Sequence, residues 1–320
     1  MFHEKVYYAE PGGFLKPVES NAWRDIAIEG IDVLSGLSKS MARVQSGVRD
    51  EGPTAVLVGG GSLGATMLDA WLRSGWGIWS VVDDDYLKPH NLVRHPAESW
   101  AIGLNKAITA AGRAQNLFQD ANPVAAIASN GLDTENPELV KAFAAANLVV
   151  DATADLDFPR KASMTEGGPR HASAFLTPSA NCSVLLVEDA GRNSKLRTLE
   201  AQYYRAILNE AWGESHLSGH RGRLWTGGGC RDKSTVMPYS AVMVHAANLA
   251  EQIRYRQVLP EACAKLWERN PNTGEVIARS LTCELESTLQ VGAVLVSLDH
   301  GLIHKLRDLR EAQLPLETGG

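Results

Sequence analysis

The chain has 320 residues, of which 44% are hydrophobic and 21% are charged, a composition typical of a globular protein with a large core. Its formal net charge of −6 and its pI near 5.9 argue against binding of nucleic acid through a broad basic face. No apolar run approaches the roughly 18 residues that span a bilayer, and the N-terminus lacks a signal-peptide pattern, so we expect a cytoplasmic protein that does not bind membranes.

The first 50 residues are predicted to form a segment of their own. Residues 1–20 contain several proline and glycine breakers and are expected to be irregular. From Asn21 to about Gln45 the apolar residues recur at helical spacing, which predicts a leading helix. Residues 51–320 are predicted to form a single domain.

The first half of that domain alternates between short apolar runs and helical patterns. Residues 54–76 are predicted to contain a strand, a glycine cluster and then a helix, with further strands at 78–83, 124–129 and 148–153 and further helices at about 102–118 and 138–146. Because a strand that is followed by a helix and another strand forms a parallel pair, this order predicts a parallel sheet covered by helices. We therefore expect an α/β fold with a doubly wound, Rossmann-like, mostly parallel sheet.

The second half continues with one strand in SVLLVED, a helix at 198–212 and a helix at 239–257. Between these helices, residues 213–237 are rich in glycine and show little periodicity, which predicts a mobile loop. Residues 276–298 read as two further strands and would form a C-terminal β extension.

A glycine cluster indicates a nucleotide site. The stretch GGGSLG at 59–64 satisfies G-x-G-x-x-G between an apolar strand and a helix, where backbone N–H groups can bind phosphate. Asp83 ends the next strand, where a dinucleotide-binding fold places the acid that binds a ribose hydroxyl. A nicotinamide-dependent oxidoreductase fits these two features.

The residues that follow fit a different chemistry better. They are Asp85, Asn91, Arg94, His95, Lys106, Asp151 and Asp155. This set supplies carboxylates for a divalent metal and two cations for the charges of a triphosphate. It suits attack at a nucleotide phosphate better than hydride transfer.

These motifs resemble the ThiF/MoeB/HesA adenylyltransferases, a family that includes the ubiquitin-activating enzymes. GGGSLG, GLNK and DATAD carry the resemblance, together with DDDYLKPHNLVRH against the family pattern D-x-D-x-(V/L)-x-x-x-N-L-x-R-(Q/H). The chain lacks the Cys-x-x-Cys pairs that bind zinc in many sulfur-carrier-activating members. Its Arg94-His95 pair is most similar to activating enzymes of bacterial ubiquitin-like conjugation (antiphage) operons.

The resemblance implies a role for each matching residue. Gly59, Gly61 and Gly64 would line the ATP phosphates, Asp83 would bind the ribose, Asn91, Arg94 and Lys106 would contact the phosphates, Asp155 would hold Mg²⁺ and Asp85 would support it. DATAD has one residue more than the common D-x-T-D, which leaves Asp151 as the alternative metal ligand. His95 stands where many relatives have Gln.

The implied activity is ATP-dependent activation of a ubiquitin-like protein. Its C-terminal glycine would be adenylated, captured as a thioester on a cysteine and passed to a conjugating enzyme. Cys230 is the predicted nucleophile because three glycines precede it and Arg231 and Lys233 can lower its pKa, although an ordinary loop cysteine is the alternative. The other cysteines, at positions 182, 263 and 283, look like packing residues, with Cys263 in a helix-like stretch and Cys283 in a strand.

Relatives act as dimers in which an arginine reaches the partner's nucleotide, so the resemblance also implies a homodimer. Arg24 or Arg43 of the leading helix is the candidate for that contact, and a solvated surface charge is the alternative. Arg160 resembles the family arginine that follows the acidic turn and would support that loop. Besides the oxidoreductase, a sulfur-carrier-protein activator and a catalytically silent scaffold remain open.

Overall fold

The structure is a computed structural model that describes residues 6–9, 15–18, 22–27, 30, 36–118, 123–217, 223–225, 233–281 and 283. The chain separates into two compact units, Met1–Gly36 and Leu37–Gly320. The smaller unit contains an antiparallel hairpin of β1 (Val6–Ala9) and β2 (Leu15–Val18) and a 3-10 helix at Ala22–Asp25. The expectation that residues 1–20 are irregular is wrong over these two strands, and one of the predicted breakers, Pro17, lies within β2 opposite Tyr7.

The predicted leading helix from Asn21 to about Gln45 is wrong at residues 26, 27, 30 and 36–38, which are not helical. Among the described residues of this stretch, only α1 (Lys39–Ser46) is α-helical. Ser38 has an extended backbone and its Oγ accepts a hydrogen bond from the N–H of Met41, so this side chain caps the helix and fixes its start. α1 belongs to the larger unit, and the predicted division at residue 50 stays a prediction.

The larger unit is built on one sheet of eight strands. In spatial order these are β12 (Val276–Leu281), β11 (Cys263–Arg269), β8 (Cys182–Val187), β7 (Arg170–Leu176), β6 (Leu148–Asp151), β3 (Thr54–Val58), β4 (Ile78–Val82) and β5 (Val124–Ile127). The strands from β7 to β5 are parallel, and the pairs β7–β8, β8–β11 and β11–β12 are antiparallel. The predicted mostly parallel sheet is confirmed, and β12 is the first strand of the predicted C-terminal β extension.

Helices cover both faces of this sheet. They are α2 (Ser62–Arg73), α3 (Lys106–Leu117), α4 (Pro137–Ala145), α5 (Asp157–Met164), α6 (Leu196–Asn209), α7 (Gly213–Leu217) and α8 (Tyr239–Arg256). Successive residues of β3 point to opposite faces, so Leu57 packs in the same cluster as Trp71 of α2, while Val58 packs with Leu139 of α4 and Phe158 of α5. The prediction of a doubly wound fold is therefore confirmed as well.

Several element predictions differ from the structure. The helix predicted from Ile102 begins at Lys106, because the Oδ1 of Asn105 accepts the N–H groups of Ala107 and Ile108 and caps it there. β7, β11 and α5 were not predicted. Cys263 is the first residue of β11 and does not lie in a helix, since pairing with β8 and β12 outweighs the helical propensity of ACAKLW.

The predicted loop at 213–237 contains more structure than expected. It begins with α7 and includes an antiparallel hairpin of β9 (Arg223–Trp225) and β10 (Lys233–Thr235). Cys230 lies outside the described residues, and the mobility of the segment stays a prediction. The second strand predicted at 276–298 also lies outside them, and Cys283 follows β12 without belonging to a strand.

No helix in the part of the chain that the structure describes is both long and apolar enough to cross a membrane. The parallel strands also indicate where a ligand would bind. The carboxyl ends of β3, β4 and β6 meet at one edge of the sheet, where parallel folds bind their ligands.

Candidate active site

A cleft of about 320 Å³ lies at this edge. Of the predicted site residues, its lining contains Gly59, Gly61, Asp83, Asp85, Lys106 and Asp155. Gly64, Asn91 and Arg94 are among the described residues but do not line the cleft. Predicted residues from four separate stretches of the sequence therefore meet around one cleft.

The glycine loop between β3 and α2 packs tightly against its surroundings. Gly59 has a φ of +100°, and a Cβ at this position would lie 2.7 Å from the carbonyl oxygen of Ala152. A Cβ at Gly64 would overlap the carbonyl oxygen of Gly59, so the third glycine lets α2 approach the loop closely. Gly61 differs from both, because a Cβ there would meet open space. Gly61 thus lines the cleft at a position where the surrounding structure leaves room for a side chain.

Asp83 joins the end of β4 to the glycine loop. Its Oδ2 accepts the N–H of Gly60 at 2.7 Å, and its Oδ1 accepts the N–H of Asp85 at 2.8 Å. Burial raises the pKa of this carboxyl above its usual range, against the lowering effect of Lys106 and the two backbone donors. Each oxygen keeps a lone pair that could accept a ligand hydroxyl.

Lys106 and Asp85 form an ion pair inside the cleft. The Nζ of Lys106 lies 2.6 Å from the Oδ2 of Asp85, and the backbone N–H of Lys106 donates to the Asp85 carbonyl at 2.9 Å. Burial opposes ionisation of Asp85, but the hydrogen bond and the charge of Lys106 together lower its pKa. The carboxylate is therefore ionised at neutral pH and holds the lysine at the wall of the cleft.

Asn91 and Arg94 lie on and directly after a 3-10 helix at Pro89–Val93. The Oδ1 of Asn91 accepts the N–H of Lys88 at 2.9 Å and so caps that helix. Arg94 is half-buried, and burial lowers the pKa of its guanidinium, which stays protonated at neutral pH. Neither residue belongs to the lining of the cleft.

His95 is a functional candidate that sequence reasoning did not select. Its Nε2 lies 2.9 Å from the carbonyl oxygen of Gly60, and its Nδ1 accepts the N–H of Ala97 at 3.1 Å. Because Nδ1 is an acceptor, the proton of the neutral ring sits on Nε2 and is donated to Gly60. Burial lowers the pKa of this imidazole to about 4. The signal in the sequence was its departure from the Gln of many relatives.

The DATAD stretch separates its two acids. Asp151 is buried and accepts the N–H and Oγ1–H of Thr153 and the Oγ–H of Ser173, and burial raises its pKa. Ala154 has a left-handed backbone with φ of 56°, which turns the chain outwards. Asp155 is exposed and lines the cleft. The geometry therefore favours Asp155 over Asp151 as the acid available to a ligand.

The acids of the cleft fit one kind of metal binding. The described residues contain no group of three or more His, Cys, Asp or Glu that could hold a metal ion by themselves. The cleft lining nevertheless carries five carboxylates, on Asp83, Asp84, Asp85, Asp155 and Asp157. Mg²⁺ is usually held by one or two carboxylates, water and the phosphates of its substrate. The carboxylates of the cleft therefore fit an Mg²⁺ ion that is bound together with the phosphates of a nucleotide.

Another part of the cleft lining was not predicted from the sequence. It consists of Ser129–Leu132, which follow β5, and Phe158 of α5. The Nδ2 of Asn130 donates to the Oδ2 of Asp84 at 3.3 Å, which ties this turn to the end of β4. A Cβ at Gly131 would lie 2.6 Å from Val58, so only glycine fits there. The turn-forming Ser-Asn-Gly after the third predicted strand was the available signal.

The remaining predicted residues lie elsewhere. Arg160 makes a two-point contact with Glu200 of α6, at 3.0 and 2.7 Å, so it joins α5 to α6. Arg43 donates to the carbonyl of Gly75 and to Glu51. Arg24 is exposed and belongs to the smaller unit.

Three cysteines behave as the sequence predicts. Cys182 and Cys263 are buried and Cys283 is half-buried. Burial raises the pKa of all three thiols, and that of Cys182 reaches about 12. A thiol with a raised pKa is a poor nucleophile at neutral pH. The interpretation of these residues as packing cysteines is therefore confirmed.

Comparison with known proteins identifies relatives of the region around the cleft. Residues 49–162 match the ThiF family. A stretch of 121 residues is 29% identical to the ATP-dependent ubiquitin transferase-like protein Cap2 of Vibrio cholerae serotype O1. This match covers 37% of this chain and 20% of the relative.

Among solved structures, the chain is similar to the crystal structure of E. coli MccB with MccA-N7isoASN. The TM-score is 0.50 at 13% sequence identity, over 73% of this chain and 65% of the MccB chain. At this identity the likeness shows the fold alone. This chain thus spans a fifth of the length of Cap2 and 65% of that of MccB.

Proposed function

We propose that the protein is an ATP-dependent adenylyltransferase that activates a ubiquitin-like protein, and the match of residues 49–162 to the ThiF family supports this proposal. The observation that carries the proposal is the meeting of Gly61, Asp83, Lys106 and Asp155 in one cleft. This set provides a backbone donor, an acceptor for a hydroxyl, a cation for a phosphate and a carboxylate for a metal.

In the first step the C-terminal glycine carboxylate of the carrier protein attacks the α-phosphorus of ATP. A bond forms between the carboxylate oxygen and phosphorus, the bond to the bridging oxygen breaks, and pyrophosphate leaves with the electron pair. The protein's part is to position both substrates and to neutralise charge. The product is an acyl-adenylate.

Each residue of the cleft has a proposed part in that step. The N–H groups of the glycine loop and the N-terminus of α2 bind phosphate oxygens, while Lys106 and Arg94 neutralise their charge. Asp83 accepts a ribose hydroxyl, and Asn91 supports the phosphate side. Asp155, with Asp85 nearby, would hold Mg²⁺, which would neutralise the phosphate charge as pyrophosphate leaves.

In the second step the thiolate of Cys230 attacks the acyl carbon and AMP leaves, so that a thioester forms. The burial of Cys182, Cys263 and Cys283 supports Cys230 as the nucleophile, because the other three thiols are poorly placed to react. A conjugating enzyme would then accept the carrier from Cys230. If the thiolate of Cys230 instead attacks the outer sulfur of a persulfide on a donor protein, so that the donor thiolate leaves and Cys230 becomes a persulfide, the protein is a sulfur-carrier activator.

A homodimer is part of the proposal. Apolar side chains that are 39% to 69% exposed follow β4 along the chain, on Val93, Trp100, Ile102, Leu104 and Ile108. A contiguous apolar surface marks a site that another molecule covers, and we infer that a second copy covers this segment.

Pyrophosphate exchange tests the proposal. The full chain is mixed with Mg-ATP, labelled pyrophosphate and a ubiquitin-like protein that ends in glycine, with Cys230→Ala run beside the wild type. We expect carrier-dependent exchange in both proteins and a thiol-sensitive carrier adduct in the wild type alone. Absence of exchange with a panel of such carriers, together with a change in NADH fluorescence, would instead favour the oxidoreductase.

A further inference from the structure

The glycine loop is held on two sides by side chains that come from elsewhere in the chain. The N–H of Gly60 donates to Asp83, and the C=O of Gly60 accepts from the Nε2–H of His95. His95 is 4% exposed and Asp83 is half-buried, so the hydrogen bond from His95 is shielded from water and the one to Asp83 is partly shielded. Shielded hydrogen bonds of this kind orient a peptide group firmly.

The orientation of one peptide bond follows from these contacts. In a trans peptide the C=O and the following N–H point in opposite directions. Since the C=O of Gly60 points at His95, the N–H of Gly61 points away from His95. Gly61 lines the cleft, and among the described residues its N–H has no acceptor. This N–H is thus available to a ligand.

Without the histidine, this peptide would have a second orientation open to it. Glycines on both sides impose little restriction on φ and ψ, so the Gly60–Gly61 peptide could rotate and turn its carbonyl oxygen towards the cleft. A carbonyl oxygen there would repel a phosphate oxygen. The contact with His95 excludes that orientation.

We propose that His95 is a positioning residue of the nucleotide site, which presents the N–H of Gly61 to the phosphates of ATP by holding the carbonyl of Gly60. This inference rests on the proposed function, because it assumes that ATP is the ligand of the cleft. His95 acts through the loop and needs no contact with the nucleotide. A glutamine could replace it, since its amide N–H can also donate to a carbonyl.

The chain offers a matched control in His245 of α8. This histidine is 1% exposed, its Nδ1 contacts Ser183 at 3.0 Å and its Nε2 contacts the carbonyl of Ala180 at 3.1 Å. It therefore resembles His95 in burial and in its two hydrogen bonds, but it lies outside the lining of the cleft. Replacing either histidine should destabilise the fold, and only His95 should alter phosphate binding.

The test compares the binding of Mg-ATP and of adenosine, which lacks phosphates, to the wild type, His95→Leu, His95→Gln and His245→Leu by calorimetry. We expect His95→Leu to weaken Mg-ATP binding by about tenfold while adenosine binding changes less than about twofold. His95→Gln should restore most of the Mg-ATP affinity, and His245→Leu should lower the melting temperature and leave both affinities unchanged. Should His95→Leu not fold, His95→Asn takes its place, since its shorter amide cannot reach Gly60.

Two results would overturn the inference. One is a His95→Leu protein that binds Mg-ATP like the wild type, and the other is an equal loss of Mg-ATP and adenosine binding. Failure of the wild type to bind Mg-ATP is a separate outcome, which would overturn the proposed function itself. The wild-type titration therefore distinguishes the two failures.

Discussion

The Nζ of Lys106 lies 2.6 Å from the Oδ2 of Asp85, although the two residues are 21 positions apart in the chain. Asp85 follows the end of β4 and Lys106 is the first residue of α3. The ion pair therefore joins the two ends of the segment that connects these elements. The pairing also keeps the lysine side chain at the cleft, where 13% of it is exposed.

We expect Lys106→Met to weaken Mg-ATP binding by about tenfold to a hundredfold, because a charge-assisted hydrogen bond to phosphate is lost and Asp85 remains as an unpaired negative charge. Calorimetry measures this change. Lys161→Met is the control. Lys161 is exposed on α5, and its substitution removes the same charge from the molecule. Equal affinities of the two variants would contradict the assigned role of Lys106.

The two acids of DATAD should respond differently to substitution. Asp155→Asn should raise the Mg²⁺ concentration needed for pyrophosphate exchange on the order of tenfold and leave the melting temperature unchanged, because its side chain is exposed. Asp151→Ala should lower the free energy of unfolding by about 1–3 kcal/mol, since the hydroxyls of Thr153 and Ser173 lose their acceptor. The opposite pattern would make Asp151 the metal ligand.

Gly61 and Gly64 form a second contrasting pair. Gly64→Ala should lower the free energy of unfolding by about 1–3 kcal/mol, because its methyl group would overlap the carbonyl oxygen of Gly59. Gly61→Ala should change stability by less than about 1 kcal/mol, since its methyl group meets open space. That methyl group would stand at the cleft, however, and should weaken Mg-ATP binding. Denaturant unfolding and calorimetry on both variants measure these effects.

Much of the fold could be predicted because its signals are local. The apolar runs of β3, β4, β5 and β6 and the helices between them are periodic, and this order alone implies a parallel sheet. β7 and β11 were missed because their sequences do not alternate regularly between apolar and polar residues. The first five residues of β7 are all buried, and the helix-like sequence of β11 becomes a strand through its pairing with β8 and β12.

The candidate site likewise contains residues that the sequence indicates and contacts that it does not. Asp83, Lys106 and Asp155 are marked by motif spacing, and the fold brings them to one cleft. The contact of His95 with Gly60 joins residues 35 positions apart, and no spacing rule indicates it. The capping role of Asn91 is likewise visible only in its hydrogen bond to Lys88.

The stability of the fold should decrease at acidic pH because of His245. Burial lowers the pKa of this imidazole from 6.5 to about 4 in the folded protein. Below pH 6.5 the unfolded chain therefore binds a proton that the folded chain does not, so stability is full above pH 6.5 and falls as the pH drops towards 4. The total loss from this group is about 3 kcal/mol.

His245→Gln should remove this contribution, because glutamine does not titrate and its amide can still donate to the carbonyl of Ala180. The variant should be less stable than the wild type at pH 7 and should lose less of its remaining stability between pH 6.5 and 4. Denaturant unfolding at several pH values gives both slopes. Parallel curves for the two proteins would mean that His245 is protonated equally in the folded and unfolded states, and the acid sensitivity would then have to arise from other groups, with the buried His95 as the next to be replaced.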